Sequence, residues 1–424
     1  MSGRREFLKS TAATLAACLM GNATDKAQGL SQSHSAIRGS ALPAWELGVL
    51  EIHAIDTGRG NSTFVLAPDG TTLLIDAGEA HSAEKTMAAA RPDASRPAGE
   101  WIARYVQQQL GRAGRDALDV MLLTHQHGDH VGEVAEASPQ SARGSYRLTG
   151  AAYVAEAIPV HTLMDRGWPD YSYPAAPRDA TSLNSIALAR SMSNRGTKVE
   201  RALAGSAAQL ALRQKPEQFP QFHARVLSAN GAVWTGAGDS ARDCFPALIG
   251  LSGAAMPNEN MCSVSLRMQY GAFRYYTGGD LCNDTVYGRY PWHDIETPVA
   301  EAAGQVSVAV ANHHGYFDSC GPAMVRALRP RAWVVPCWHA SHPAINVLAN
   351  LFSEELYPGE RSVFATGMTS EALLTTERFS SQLSSSSGHI VVRVGPGGDS
   401  FTVLIVGSQD ELGIVERQFG PFAA

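Results

Sequence analysis

The run Thr124-His125-Gln126-His127-Gly128-Asp129-His130 constrains this chain more than any other stretch. It places three imidazoles and a carboxylate within six residues, directly after the apolar run Val120-Met121-Leu122-Leu123. Histidine accounts for only 14 of 424 residues, so composition alone does not produce such a density. A short buried strand ending in H-x-H-x-D-H fixes the backbone, and the turn after it splays the side chains. His125 and His127 can then point at one metal ion, and Asp129 and His130 at a second beside it. Imidazole with carboxylate suits zinc, iron or manganese better than calcium. A solvated His-rich loop is the competing reading, and the ligand spacing argues against it.

Length allows one large domain or two, and a 44% hydrophobic composition supplies an ample core. No run of 18 apolar residues occurs, so no transmembrane helix is expected. A net charge of -6 without a long basic run argues against broad, salt-driven binding to a nucleic-acid backbone. A local basic groove remains compatible with that charge. None of the six cysteines forms a C-x-x-C pair, which leaves no zinc ribbon or thioredoxin-like motif.

The first residues read as an address. Ser2 to Lys9, with Arg4-Arg5, resembles a twin-arginine export signal, and an Ala-rich, mildly apolar stretch follows. Residues 1–27 are therefore expected to be a signal peptide, and the protein periplasmic or secreted. Leu15-Ala16-Ala17-Cys18 resembles a lipobox that would leave Cys18 lipidated. Cleavage near Ala23 or Ala27 is the alternative. Loss of residues 1–27 removes four basic and two acidic residues and takes the charge from -6 to -8.

Residues 28–44 read as a linker, and 45–424 as one domain. Strands are expected at Val49–Ile55, Ser62–Leu66, Thr71–Ile75 and Asp119–Leu123, with a helix over Trp101–Leu110. From 131 to 225 the pattern weakens, and 181–195 reads as loop with short helices. This stretch is expected to be an insertion beside the site, walling a substrate pocket. Strand signals return at Ser263–Gln269, Phe273–Thr277, Gln305–Ala311 and Ala332–Val335. Ser384–Ser387 reads as a surface loop, and Ile390–Val394 with Phe401–Val406 as a closing hairpin. Strands alternating with helices favour an α/β layered fold.

The order of motifs resembles the metallo-β-lactamase superfamily over about residues 47–350, and most closely the hydrolase domain of ComEC-type competence proteins. Asp56-Thr57-Gly58-Arg59-Gly60-Asn61 and Leu73-Leu74-Ile75-Asp76-Ala77-Gly78 are similar to its opening pair. Asn260 to Leu266, Thr277-Gly278-Gly279-Asp280, Asn312-His313-His314-Gly315 and His342-Pro343 are similar to its later elements. The chain departs from the family in lacking channel segments, in Tyr316 after H-H-G, and in having no clear middle His. His161 and His223 are candidates for that place, or Asn260 with water.

The resemblance implies a four-layer αβ/βα sandwich with a long insertion after the H-x-H-x-D-H motif. It implies two divalent ions, zinc first with manganese or iron as alternatives. His125 and His127 would hold metal one. Asp129, His130 and one of His313 or His314 would hold metal two, and Asp280 would bridge. Asp76 would stand behind the His loop without touching metal. Asp129 would orient a metal-bridging hydroxide, and His342 would contact a phosphate or protonate the leaving oxygen. The expected function is an exported phosphodiesterase acting on a nucleotide-like or small phosphodiester substrate, with long nucleic acid disfavoured. An acyl hydrolase of lactonase or β-lactamase type is the alternative, and a non-catalytic binding protein a third. Oligomeric state stays open.

Overall fold

Aliphatic and β-branched runs bounded by Gly, Pro and Asp turns build the first strands. A computed structural model describes residues 38–82 and 84–424. Strands β1 (Leu50–Ala54), β2 (Thr63–Leu66) and β3 (Thr72–Ile75) form an antiparallel meander. Next come α1 (Ala98–Arg112), β4 (Leu118–Leu122), the single turn α2 (Gly128–Val131), α3 (Ala151–Ala157), β5 (Val160–Asp165), α4 (Ala180–Asn194) and β6 (Lys198–Arg201). Strands β3 to β6 run parallel.

A second sheet holds β7 (Phe222–Ala229), β8 (Ala232–Trp234), β9 (Ala241–Asp243), β10 (Ser265–Tyr270), β11 (Phe273–Thr277), β12 (Val308–Val310), β13 (Ala332–Val335) and β14 (Ser362–Ala365). Its parallel part, β11 to β14, is connected through α5 (Glu296–Ala303), α6 (Pro322–Leu328) and α7 (Ile345–Leu351). The chain then returns to the first sheet as β15 (His389–Val394), β16 (Ser400–Val406) and β17 (Val415–Ala423). The result is nine strands facing eight.

Side-chain alternation explains the layering, because successive residues of a strand face opposite sides. Ala332 and Val334 of β13 join the core between the sheets, together with Ile52, Val120 and Leu122 from the other sheet. Trp333 and Val335 face outward onto Val299, Met324 and Val347 of α5, α6 and α7. On the other side, Phe64, Leu74 and Met121 pack under Ile102, Val106 and Val154 of α1 and α3. This gives the expected order helix, sheet, sheet, helix.

Several expectations need correction. Residues 181–195 are not loop: α4 covers most of them in one 15-residue helix. Its buried face, Ile186, Leu188, Ala189 and Met192, is diluted by Ser and Asn, which masked the period, and Asp179 caps it by accepting from the Ser182 N–H. The stretch 131–225 thus contains α3, β5, α4, β6 and the start of β7 as well as irregular connections. Ser384–Ser387 is a surface loop only in part: Ser387 is exposed and Ser384 and Ser386 are half-buried, but the segment is tied to β14. Ser385 is buried, its carbonyl accepts from Ala365 N at 3.0 Å, and Ser387 bridges to Gly367. The strand expected at 305–311 is only Val308–Val310, and β17 was not anticipated because Gly420 and Pro421 interrupt its pattern.

The end of the expected linker is tied down, with Gly39 N donating to Val415 O and Leu42 N to Gly413 O, each at 2.8 Å. The twin-arginine and lipobox motifs, Cys18 included, lie outside the described residues. No helix of the described residues is long and apolar enough to cross a membrane. The five described cysteines are free.

Candidate metal centre

Parallel strands deliver the site residues, because their carboxyl ends lie at one edge of each sheet. Asp76 follows β3, the His run follows β4, Asp280 follows β11, His313 and His314 follow β12, and His342 lies in the loop after β13. The two sheets bring these edges together.

Close backbone approach is needed here. A Cβ on Gly78 would lie 1.9 Å from the Asp129 carbonyl oxygen, and one on Gly278 would lie 2.1 Å from Asn312 Oδ1. Only glycine fits either place. The His loop is pinned further by Asn61 N, which donates to Asp129 O at 2.8 Å. His313 and His314 both adopt left-handed backbone, at φ 47° and 55°. Two such residues in succession carry strain, which is characteristic of functional loops.

Ligand-type atoms fall into two groups. Those of Asp129, His130, Asp280 and His314 lie within 4.8 Å of one another, as do those of His125, His127 and Asp280. Two atoms sharing one ion at about 2.1 Å are at most about 4.2 Å apart, so shifts of a few tenths of an ångström suffice. The donor set, imidazole nitrogen with carboxylate oxygen, fits a first-row divalent ion. Asp280 belongs to both groups. Its Oδ1 is 3.0 Å from His130 Nε2 and 3.6 Å from His314 Nε2, while its Oδ2 is 3.7 Å from His125 Nε2.

The imidazoles of His130 and His314 are oriented from behind. His130 Nδ1 donates to Asp76 Oδ2 at 2.7 Å, leaving Nε2 free to face the centre. Asp76 also accepts from Thr124 N, Thr124 Oγ1 and Asn61 Nδ2. His314 Nδ1 bonds Pro336 O at 3.1 Å, and His314 Nε2 is 2.9 Å from Asp129 Oδ2. Of the 313/314 pair, His314 is therefore the member of the four-residue group. His313 Nδ1 bonds Asp318 at 2.7 Å, and its Nε2 is 3.7 Å from Asp280 Oδ2 and 3.4 Å from Asn260 Nδ2. Asn260 Oδ1 is buried without a hydrogen-bond partner beside it. His161 and His223 are exposed on β5 and β7 and belong to neither group, so neither supplies the middle His.

Electrostatics match a cation site. Burial opposes the His130 imidazolium, but the Asp280, Asp76 and Asp129 carboxylates overcome it and hold the ring well above its usual value. Burial likewise opposes ionisation of Asp280, and His130, His314 and His313 bring it well below the carboxylate range. His342 is buried and stacked on His314, with ring centroids 5.0 Å apart. Burial and then the charge of His314 hold it well below its usual value, so its imidazole is neutral.

Some supporting residues carried no signal in the sequence. Glu259 accepts from Gln126 N at 2.8 Å, between the two first histidines, and is held by Arg166 at 2.6 and 2.5 Å. Glu296 is fully buried and accepts from Asn283, Asn312, Cys320 N and Gly321 N, bracing the H-H-G loop. Burial pushes Glu296 up to about 7 against those four donors. Isolated carboxylates like these have no motif; the Asn before H-H-G was the only neighbouring cue.

The family model described as Metallo-beta-lactamase superfamily matches residues 55–141. No curated protein sequence matches the chain. Among solved structures, a CmlA beta-hydroxylase mutant is similar at 14% identity and a TM-score of 0.39, covering 77% of this chain. This chain covers 54% of that one, so it spans about half the hydroxylase's length. Human tRNase Z, short form, is similar at 11% identity and a TM-score of 0.30, with 76% of this chain and 93% of that chain covered. Residues 55–141 hold the whole H-x-H-x-D-H run and match the metallo-beta-lactamase superfamily, and the two mixed sheets are consistent with that fold.

Proposed function

We propose that this chain is a dinuclear metal-dependent hydrolase that cleaves phosphodiester bonds in a nucleotide-like or other small phosphodiester substrate. One observation carries the dinuclear reading: Asp280 turns one carboxylate oxygen to His130 and His314 and the other to His125. His125 and His127 would hold one ion, Asp129, His130 and His314 the other, and Asp280 both. Zinc suits the donor set first, with manganese or iron as alternatives. When bound, such a pair supplies Lewis acidity and water of lowered pKa. Asp129, whose Oδ2 lies 2.9 Å from His314 Nε2, would orient a water held at the pair. Neutral His342 would serve as a hydrogen-bond donor to a phosphoryl oxygen.

The phosphodiester arm, and the likeness to ComEC-type hydrolases, rest on the motifs at 56–61, 260–266 and 312–315. Export to the periplasm or beyond rests on residues 2–18. Purified protein loaded with zinc or manganese should turn over bis-p-nitrophenyl phosphate in preference to nitrocefin or a lactone, and Asp280→Ala should abolish that turnover with secondary structure retained. Activity on the lactone or nitrocefin alone would replace this reading with acyl hydrolysis. No activity on any of the three in metal-loaded protein would favour a binding role.

A further inference from the structure

The two ion positions are unequally furnished. Asp129, His130, His314 and Asp280 Oδ1 give one position four donors, while His125, His127 and Asp280 Oδ2 give the other three. Among the described residues no further His, Cys, Asp or Glu joins those three. A first-row ion held by protein takes four donors, or three and a water.

The fold brings Asn260 to the three-donor side. Its segment is fastened along the His loop: Glu259 accepts from Gln126 N at 2.8 Å, and Val264 N donates to Thr124 O at 3.0 Å. Ser263 Oγ accepts from Asp280 N at 3.1 Å, so the same segment is fixed to the shared carboxylate. Asn260 Oδ1 is buried and has no hydrogen-bond partner among the described residues. An unpaired buried amide oxygen is costly and therefore rare without a reason. Ligation of a cation would satisfy it.

Two neighbours set which way the amide points. His313 Nδ1 is bonded to Asp318 Oδ1 at 2.7 Å, which places the proton of the neutral ring on Nδ1 and leaves Nε2 an acceptor. The Asn260 atom beside that Nε2, at 3.4 Å, is Nδ2, the donor end of the amide. The same Nε2 is 3.7 Å from Asp280 Oδ2, the oxygen turned to His125. The relay Asp318, His313, Asn260 thus holds Nδ2 toward His313 and leaves Oδ1 open.

We propose that Asn260 Oδ1 is the fourth donor to the ion held by His125, His127 and Asp280, in the place of the middle His that the chain lacks. The proposal rests on the dinuclear reading above and deepens it. An amide oxygen is neutral and harder than an imidazole nitrogen. This position is therefore the weaker of the two, and it discriminates less for zinc over manganese than a site with a third imidazole.

The test uses the full chain, stripped of metal and titrated with zinc or manganese against a chelating dye, with circular dichroism to check each fold. The parent should take up two ions in two steps. Asn260→Ala should weaken the second step by at least the about 10- to 100-fold that loss of a mere supporting partner costs, and leave the first within about threefold. Asn260→His, which provides the missing imidazole, should bring zinc at the second step back to the parent's affinity or tighter, with a smaller gain for manganese. A residue that only braced the loop would not be replaced by imidazole. An unchanged second step in Asn260→Ala, or equal weakening in both variants, overturns the ligand role. An unchanged second step in Asn260→Ala with loss in His313→Ala overturns it in favour of His313. A parent that takes up one ion or none overturns the dinuclear reading and this role with it. Two ions and the expected variant pattern, without turnover of bis-p-nitrophenyl phosphate, overturn the phosphodiester reading and leave Asn260 as the donor.

Discussion

Asp76 shows how a residue that touches no ligand position can decide the site. It accepts four hydrogen bonds, and the one from His130 Nδ1 fixes which nitrogen faces the centre. In Asp76→Asn the amide oxygen can keep the bond to Thr124 N, while the amide nitrogen is turned on His130 Nδ1. The proton then moves to His130 Nε2, the atom needed as a ligand. Metal affinity at that position should fall about 10- to 100-fold, the usual loss when such a supporting partner is removed. Competition titration against a chelating dye, with circular dichroism as the control, reads it; unchanged affinity would show that Asp76 only closes a turn. Asp76 was legible in the sequence because it ends a strand and precedes Gly78 by two residues. Glu259 and Arg166 were not, because a carboxylate or guanidinium that braces a loop from another part of the chain leaves no local pattern.

At the scale of elements, legibility followed periodicity. The strands at 50–54, 63–66, 72–75 and 118–122 and the helix at 98–112 announce themselves through clean apolar spacing. Helix α4 does not, since four of its residues are Ser and two are Asn. Its start is set by Asp179, whose side chain accepts from Ser182 N at 2.8 Å. That turn also carries the Ser182 contact to the His loop, so the cap bears on the site as well as on the helix. Asp179→Ala should cost about 1 kcal/mol of stability. Denaturant unfolding checks the magnitude, and hydrogen exchange over 180–194 should rise first at the amino-terminal turn. An unaltered unfolding midpoint with unaltered exchange would mean tertiary packing alone holds α4.

The whole molecule joins what the chain separates. The centre is split between two sheets, with 125–130 on one and 280 and 314 on the other, and only the first half is a contiguous motif. A similar long-range junction, distant from any motif, closes the first sheet. Glu51 of β1 is fully buried and bonds Arg112 of α1 at 3.1 and 3.3 Å, His53 at 3.2 Å, and Arg393 of β15. Arg112 and Arg393 also donate to Pro43 O, which ties the start of the domain to the same junction. Burial opposes ionisation of Glu51, but the bonds to His53 and Arg112 outweigh it and bring the carboxyl down from 4.5 to about 2. A depressed carboxyl stabilises the fold above its unfolded value and loses that contribution as pH falls through its folded value. Stability should therefore drop between pH 4.5 and about 2, by roughly 3 kcal/mol from this group. Glu51→Gln removes the titration and leaves two buried-side arginines facing a neutral amide, so it should be less stable than the parent at neutral pH. Between pH 4.5 and 2 its stability should fall less steeply than the parent's in urea unfolding. Equal slopes in the two proteins would show that acid sensitivity arises elsewhere, and that Glu51 joins the sheet through packing and neutral hydrogen bonds.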